Sequence, residues 1–360
     1  MKALHIHVGP RALAHLRERG LRPDDVRMIP AAAGGPKGLA LSHLDSDLFG
    51  RWLPQASGAC PLHLVGASIG AWRMAAAFMP DPASAFHRLA RDYIAQDYPV
   101  EPGKSMPSAR LVSDGFAQSL QDFFGADLNA LFDTAHRPNW HLHVLTSRGK
   151  KWLNQPGKWG TLAGFAGLAA SNLISRRLVG QWLERTVLSA HGPLPLPLAD
   201  QKTRQVRLMP ENFYQAVQAS CTIPFWLEPV LDIPGTLPGA HWDGGLIDYH
   251  LHWPYASMQE GLVLYPHFQK HVVPGWLDKS LPWRHHATPA LDNLILLAPN
   301  PEWVKTLPNG KLPCRADFKA LPVEQRKRDW TRAVAECERL ADDWRQWLEL
   351  GCPTDELKAL

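Results

Sequence analysis

Two strand–turn–helix units near the start of the chain constrain its fold more than any other feature. Val26 to Ala33 is a short, mostly apolar run ending in glycines, and Leu39 to Leu48 follows with Ala40, Leu44 and Leu48 four residues apart. Leu62 to Val65 repeats the arrangement, running into Gly66 and Ser68 before a helical stretch from Gly70 to Met79 that stops at Pro80. Continuous apolar runs suit strands buried on both faces, and 3.6-residue periodicity suits the helices that cover them. Successive units of this kind predict an α/β protein with a mainly parallel central sheet. Further strands are expected at Leu142–Leu145, Val206–Met209, Leu262–Tyr265 and Leu294–Leu297, and helices at residues 11–19 and Phe213–Ser220. A long amphipathic helix is expected from Val323 to Leu350, with Trp330, Ala333, Cys337, Leu340, Trp344 and Leu348 on one side. The stretch from about 100 to 205 mixes Pro, Gly and Trp and reads as a helical insertion beside the core, a candidate lid. The domain expectation is a catalytic unit over 1–310 and a helical extension over 311–360 packed on it.

The 360 residues suffice for a full core, and 45% hydrophobic with 20% charged residues is a globular composition. A net charge of +4 is too small to argue for nucleic acid, although a basic face could meet anionic lipid. The five cysteines are widely spaced with no C-x-x-C pair, which excludes a disulfide framework or zinc ribbon and suits reduced thiols in a cytoplasmic protein. His5, His7, Arg11 and His15 interrupt the N-terminal apolar run, so no signal peptide is expected, and no stretch is long enough to predict a transmembrane helix.

Gly66-Ala67-Ser68-Ile69-Gly70 is a G-x-S-x-G sequence that leaves an apolar strand and opens a helix. Such a turn exposes the serine oxygen above the sheet and crowds its neighbours, so only small residues fit two positions either side. The helix N-terminus favours developing negative charge, and the Ile69 N–H is placed to donate to an oxyanion. Ser68 is therefore the candidate nucleophile. Earlier, Gly34-Gly35-Pro36-Lys37-Gly38 also sits between strand and helix. It is not a phosphate-binding P-loop, because no Gly-Lys-Ser/Thr follows the spacing, nor a dinucleotide fingerprint, because G-x-G-x-x-G is absent. An oxyanion hole donated by Gly34 and Gly35 fits better. Lys37 is read as a loop anchor or a contact to a lipid phosphate, beside the plainer alternative of a solvated lysine. His241-Trp242-Asp243-Gly244-Gly245 places a carboxylate at a strand end, where it could take the proton of Ser68 directly.

These three motifs in this order, with Ala219-Ser220-Cys221-Thr222-Ile223-Pro224 between the second and third, resemble the patatin-like phospholipases over roughly residues 26–250. The resemblance implies a three-layer α/β/α fold and metal-independent hydrolysis of lipid acyl esters without a cofactor. It also implies a dyad in which Ser68 is the nucleophile and Asp243 the base, with the oxyanion held by Gly34 and Gly35 and also by Gly38. The chain departs from the family pattern at Ala33, where a third glycine is common, and at Leu246-Ile247-Asp248-Tyr249-His250, where an Asn-rich turn and Pro commonly follow Asp-Gly-Gly. The expected partner is a lipid or ester substrate, with no nucleic acid.

Other readings compete. His250, His252, His267 and His285 follow Asp243 and could complete a Ser–acid–His triad. His141-x-His143 and His250-x-His252 have strand spacing that could point two imidazoles to one side, but no third ligand pattern accompanies either pair. Trp152, Trp159 and Trp182 flank the apolar stretch Leu162–Val179, which carries Arg176 and Arg177, so the 150–185 region could dock on a membrane or pack as an ordinary helix. A carboxylesterase acting on other esters, or a lipid-binding protein with weak catalysis, is the alternative to a phospholipase.

Overall fold

The computed structural model describes residues 1–100, 103–104, 106–133 and 139–360. Its strands are β1 (Leu4–Val8), β2 (Val26–Ala31), β3 (Leu62–Ala67), β4 (Trp140–Gly149), β5 (Leu183–Ser189), β6 (Thr203–Arg207), β7 (Val230–Leu231), β8 (Ala240–Asp243), β9 (Leu262–Pro266), β10 (Leu294–Pro299) and β11 (Lys358–Ala359). They form one sheet in the order β11-β1-β10-β9-β2-β3-β4-β5-β6, with β8 on β4 and β7 on β8. The central block β10-β9-β2-β3-β4 is parallel throughout, and antiparallel pairing enters at β1–β10, β4–β5, β4–β8 and β7–β8. Every residue of β3, β9 and β10 is buried, as expected for strands covered on both faces. The chain is thus a mixed α/β protein with a mostly parallel central sheet flanked by helices.

The parallel pairing of β2 with β3 brings Ala31 beside Gly66, so both chains leave the sheet at the same end. In open α/β sheets that carboxyl end is where ligands bind. The segments that leave there are the glycine loop and the Ser68 turn.

Helices Ser42–Asp47, Ile69–Ala76, Pro82–Ala95, Val323–Glu336 and Glu338–Glu349 pack against one another. Arg73 and Asp45 hold two of them together. The guanidinium Nε and Nη2 each donate to a carboxylate oxygen at 2.7 Å, and both side chains are fully buried. Helix Ala109–Phe124 packs on helix Pro210–Ser220, which in turn covers β4 and β8. Helix Lys158–Ile174 has its own small core, in which Leu153, Phe165 and Leu168 meet Trp242, Leu246 and Ile247.

Several expectations need correction. The region read as an insertion carries β4 and β5, two strands of the central sheet, interleaved with helices Ala109–Phe124 and Lys158–Ile174. Residues 101, 102, 105 and 134–138 of that region lie outside the described residues. The single helix expected over Val323–Leu350 is two helices, broken at the buried Cys337, because the first packs on Pro82–Ala95 and the second on Ser42–Asp47 and β1. The 311–360 segment also supplies β11, which pairs with β1, and residues that line the cavities described below. Leu39–Leu48 begins as a 3-10 turn over Gly35–Leu41 before its short α-helix.

Candidate active site

Ser68 closes β3 and caps helix Ile69–Ala76 with φ 57° and ψ −130°. A side chain is rarely found there, and such strain costs about 1–3 kcal/mol and persists only where neighbours enforce it. The neighbours are close. A Cβ at Gly66 would lie 2.3 Å from the Gly70 carbonyl, and one at Gly70 would lie 2.0 Å from the Ala31 oxygen. The two glycines are therefore the condition for the turn, as the spacing of the motif predicts.

Ser68 Oγ donates to Asp243 Oδ2 at 2.7 Å. Asp243 ends β8, and its Oδ1 accepts from the Gly245 N–H at 2.7 Å. Both side chains are buried. Burial pushes the Asp243 carboxyl up to about 6, against the lowering effects of the Ser68 and Gly245 hydrogen bonds and the positive charge of Arg315. The group is thus a carboxylate at neutral pH with a proton affinity suited to a general base.

The segment Ala219–Pro224 links these two residues. The Ser220 Oγ accepts from the Ser68 N–H at 2.9 Å, and the Thr222 carbonyl accepts from the Asp243 N–H at 2.9 Å. The sequence marks this segment only by its resemblance; its function as a bridge depends on contacts 152 residues apart for Ser68 and Ser220.

Ser68 lines two cavities. The narrower, about 80 Å³, is apolar and includes Trp72, Val112, Phe116, Trp226, Leu227 and Phe318. The wider, about 220 Å³, holds Asp243 together with Gly34, Lys37, Tyr249, Lys279 and Arg315. Of the expected oxyanion donors, Gly34 faces the wider cavity, and Gly35 and Ile69 face the narrower one. Gly35 has φ 55° and opens a 3-10 turn, whose first N–H groups have no partner within the turn. Gly38 is placed differently. It is buried with Ile69 and Arg73 against the position of a Cβ, and it lines neither cavity. The Ala33 N–H donates to the Tyr249 carbonyl, which ties the glycine loop to the segment after Asp243. Lys37 is half-buried with its ammonium 5.3 Å from the centre of the Phe268 ring, and burial lowers its pKa.

The sequence after Asp-Gly-Gly also has a structural account. Asp248 is fully buried and receives Nε and Nη2 of Arg185, on β5, at 2.7 Å each, with the Trp253 indole N–H at 2.8 Å. That ion pair pins the Asp243 turn to the sheet.

Among the described residues no histidine takes part in the pair. The four candidates for a triad engage other groups: His250 the His271 carbonyl, His252 the Thr288 hydroxyl, His267 the Gln269 carbonyl and His285 the Asp278 carbonyl. His143 is buried between His63 at 2.9 Å and Ser189 at 2.8 Å. Among the described residues no three His, Cys, Asp or Glu side chains are grouped to hold a metal ion. Residues that sequence reasoning missed are Lys279, Arg315, Tyr249 and Trp276. No local motif marks them; only the fold brings them to the cavity.

No family model matches the chain, and no curated protein matches it in sequence. Among solved structures it is similar to human GIVD cytosolic phospholipase A2, at 12% identity and a TM-score of 0.38, over 98% of this chain and 69% of that one. So slight a likeness leaves the chemistry of the site to speak for itself.

Proposed function

We propose that the protein is a serine acyl-ester hydrolase acting on lipids, of the phospholipase A or lysophospholipase type. The observation that carries this reading is the 2.7 Å hydrogen bond from Ser68 Oγ to a buried carboxylate whose pKa lies near 6, at the meeting of an apolar and a polar cavity.

In this mechanism Asp243 takes the proton of Ser68 as Oγ attacks the ester carbonyl. The N–H groups of Gly34, Gly35 and Ile69 receive the oxyanion, while Gly38 holds the loop by packing. Collapse of the tetrahedral intermediate expels the alcohol, which takes the proton from Asp243, and leaves the acyl group on Ser68. Water then attacks the acyl-enzyme and gives a proton to Asp243. The second collapse releases the carboxylic acid and returns that proton to Ser68. No histidine and no metal enters the scheme.

Contact with a lipid surface is part of the same proposal. Trp159 is 76% exposed and Ile174 79%, with Trp152, Leu162, Leu173 and Phe225 also exposed. The Phe165 ring, on the same helix, lies 5.6 Å from that of Phe225, which follows the cavity-lining residues Ile223 and Pro224. Lys151, Lys158 and Arg177 are exposed in the same region. Exposed tryptophans and aliphatic side chains among basic residues suit an anionic lipid interface. Among the described residues no helix is long and apolar enough to cross a membrane.

The test is fatty-acid release from a panel of phospholipids and neutral esters in excess chelator. Release that falls by about a thousandfold or more in Ser68→Ala supports the reading. Release that survives in Ser68→Ala overturns the nucleophile, and vesicle binding without release of any acid would favour a lipid-binding protein.

A further inference from the structure

The two cavities beside Ser68 differ in charge as well as in polarity. The narrow one is walled by aromatic and aliphatic side chains, with Arg315 at its border. The wide one contains Lys37, Lys279 and Arg315 against a single carboxylate, Asp243. That carboxylate is already engaged by Ser68 and by the Gly245 N–H. Among the described residues, the side chains of the three cations make no hydrogen bond to oxygen and no ion pair. Instead, Lys37 rides over Phe268 at 5.3 Å, and Lys279 lies 5.3 Å from the Tyr249 ring centre and 5.9 Å from that of Trp276. Lys37 and Arg315 are half-buried, and Lys279 stands at the rim.

The three residues reach this cavity from separate parts of the chain: the glycine loop, the turn at Trp276–Ser280 after β9, and the segment after β10. Convergence of like charges is unfavourable unless something offsets it. Burial lowers the pKa of Lys279, and the charges of Arg315 and Lys37 lower it further. Elsewhere the fully buried cations meet oxygen: Arg73 has Asp45, Arg185 has Asp248 and Asp200, and Arg326 donates to the Gln96 carbonyl. In the cavity at the nucleophile the three cations have no such oxygen among the described residues, and an anion entering it would make the charge-assisted hydrogen bonds they lack.

Resting on the ester-hydrolase reading, the geometry points to a substrate whose leaving alcohol carries an anionic group, a phosphate or a carboxylate, held by Lys37, Lys279 and Arg315. The acyl chain takes the apolar cavity. The ester carbonyl lies at Ser68, and the alcohol half extends into the cationic one. Arg315, bordering both cavities, sits where the two halves of the substrate meet. Neutral esters fit the apolar side equally well and leave the three cations unsatisfied, so the site discriminates by the charge on the alcohol.

The experiment compares matched pairs with one acyl chain, used as monomers at pH 8, where Asp243 is ionised. 1-Acylglycerol 3-phosphate is set against 1-acylglycerol, and the O-acyl ester of glycolate against its methyl ester. The expected result is a kcat/KM ratio of about tenfold or more for charged over neutral esters, falling to within about threefold of unity in a Lys37→Gln, Lys279→Gln, Arg315→Gln triple variant. Preference in the first pair alone identifies phosphate; preference in both identifies a general anion site. Glycerol 3-phosphate should inhibit neutral-ester hydrolysis by raising KM without lowering kcat. If the triple variant does not fold, Lys279→Gln at the rim reads the same ratio with a partial loss of about threefold. Equal rates on charged and neutral esters, or a preference untouched by the substitutions, overturns the inference while leaving the hydrolase reading intact. Hydrolysis of none of the four esters, or hydrolysis that survives Ser68→Ala, overturns the hydrolase reading itself.

Discussion

Ala67 and Asp243 occupy neighbouring pairing positions on the same edge of β4: Ala67 pairs with Leu145, and Asp243 with Thr146. The opposite edge of β4 pairs with β5 at both positions. β3 and β8 run in opposite directions, so their C-terminal ends meet head to head. Ser68, one residue past Ala67, is thereby delivered to Asp243 by backbone pairing, before any side chain makes its own hydrogen bond. Gly244 makes the junction possible, since a Cβ there would lie 2.3 Å from the Leu145 oxygen.

This junction predicts the result of Gly244→Ala. The added methyl group collides with backbone that cannot yield without breaking the β4 pairing. We expect a loss of about 2–4 kcal/mol in stability and nearly all activity, measured by urea unfolding and ester hydrolysis. A variant of wild-type stability and rate would show that β8 does not set the position of Asp243.

The pH profile follows from the Asp243 carboxyl, raised by burial to about 6. The proposed mechanism requires the carboxylate, so kcat/KM should rise with pH, pass half its maximum near pH 6 and level off above pH 7. Arg315 lowers this pKa, so Arg315→Gln should move the midpoint upward. A downward shift would be inconsistent with this arrangement.

Stability carries the opposite sign. The folded state binds the Asp243 proton more tightly than an unfolded chain, where a carboxyl titrates near about 3.9. Its ionisation therefore costs stability as pH rises from about 4 to about 6, and the full cost applies above that window. Asp243→Asn should be inactive yet more stable than wild type at pH 8, by about 1–3 kcal/mol, with the gain vanishing near pH 4. Thermal melts across that range would check it.

The Ser220 hydroxyl can be tested as a positioning group. In Ser220→Ala the Ser68 N–H loses its acceptor at a strained backbone. We expect about 1–2 kcal/mol lower stability and a fall of about tenfold or more in kcat with KM little changed. Ser220→Thr, which keeps the hydroxyl, should recover most of kcat.

The exposed aromatic face yields a separate comparison. Trp159→Asp together with Ile174→Asp should weaken binding to anionic vesicles and slow hydrolysis of vesicle lipid by about tenfold, with a monomeric ester cleaved at close to the wild-type rate. Equal losses on both substrates would place these side chains in folding instead.

Much of this protein is legible in the sequence, for physical reasons that act locally. Buried parallel strands must be apolar along their whole length, so β2, β3, β9 and β10 stand out, and the crowded turn at Ser68 demands Gly66 and Gly70 at fixed spacing. The glycine loop and the Asp243 turn announce themselves in the same way. What lay hidden depends on partners distant in the chain. β5 contains Glu184 and Arg185, which look like surface residues until Arg204 and Asp248 neutralise them in the interior. β1 is interrupted by His5 and His7, and β8 is only four residues long. The sequence alone determined the chemistry available: a serine on a strained turn, a carboxylate before two glycines, and backbone donors nearby. Only the tertiary structure decided that β3 and β8 end on one edge of β4, that Ser220 and Thr222 join the two residues, and that three cations gather in one cavity. Sheet pairing and burial act between residues that the chain itself keeps far apart.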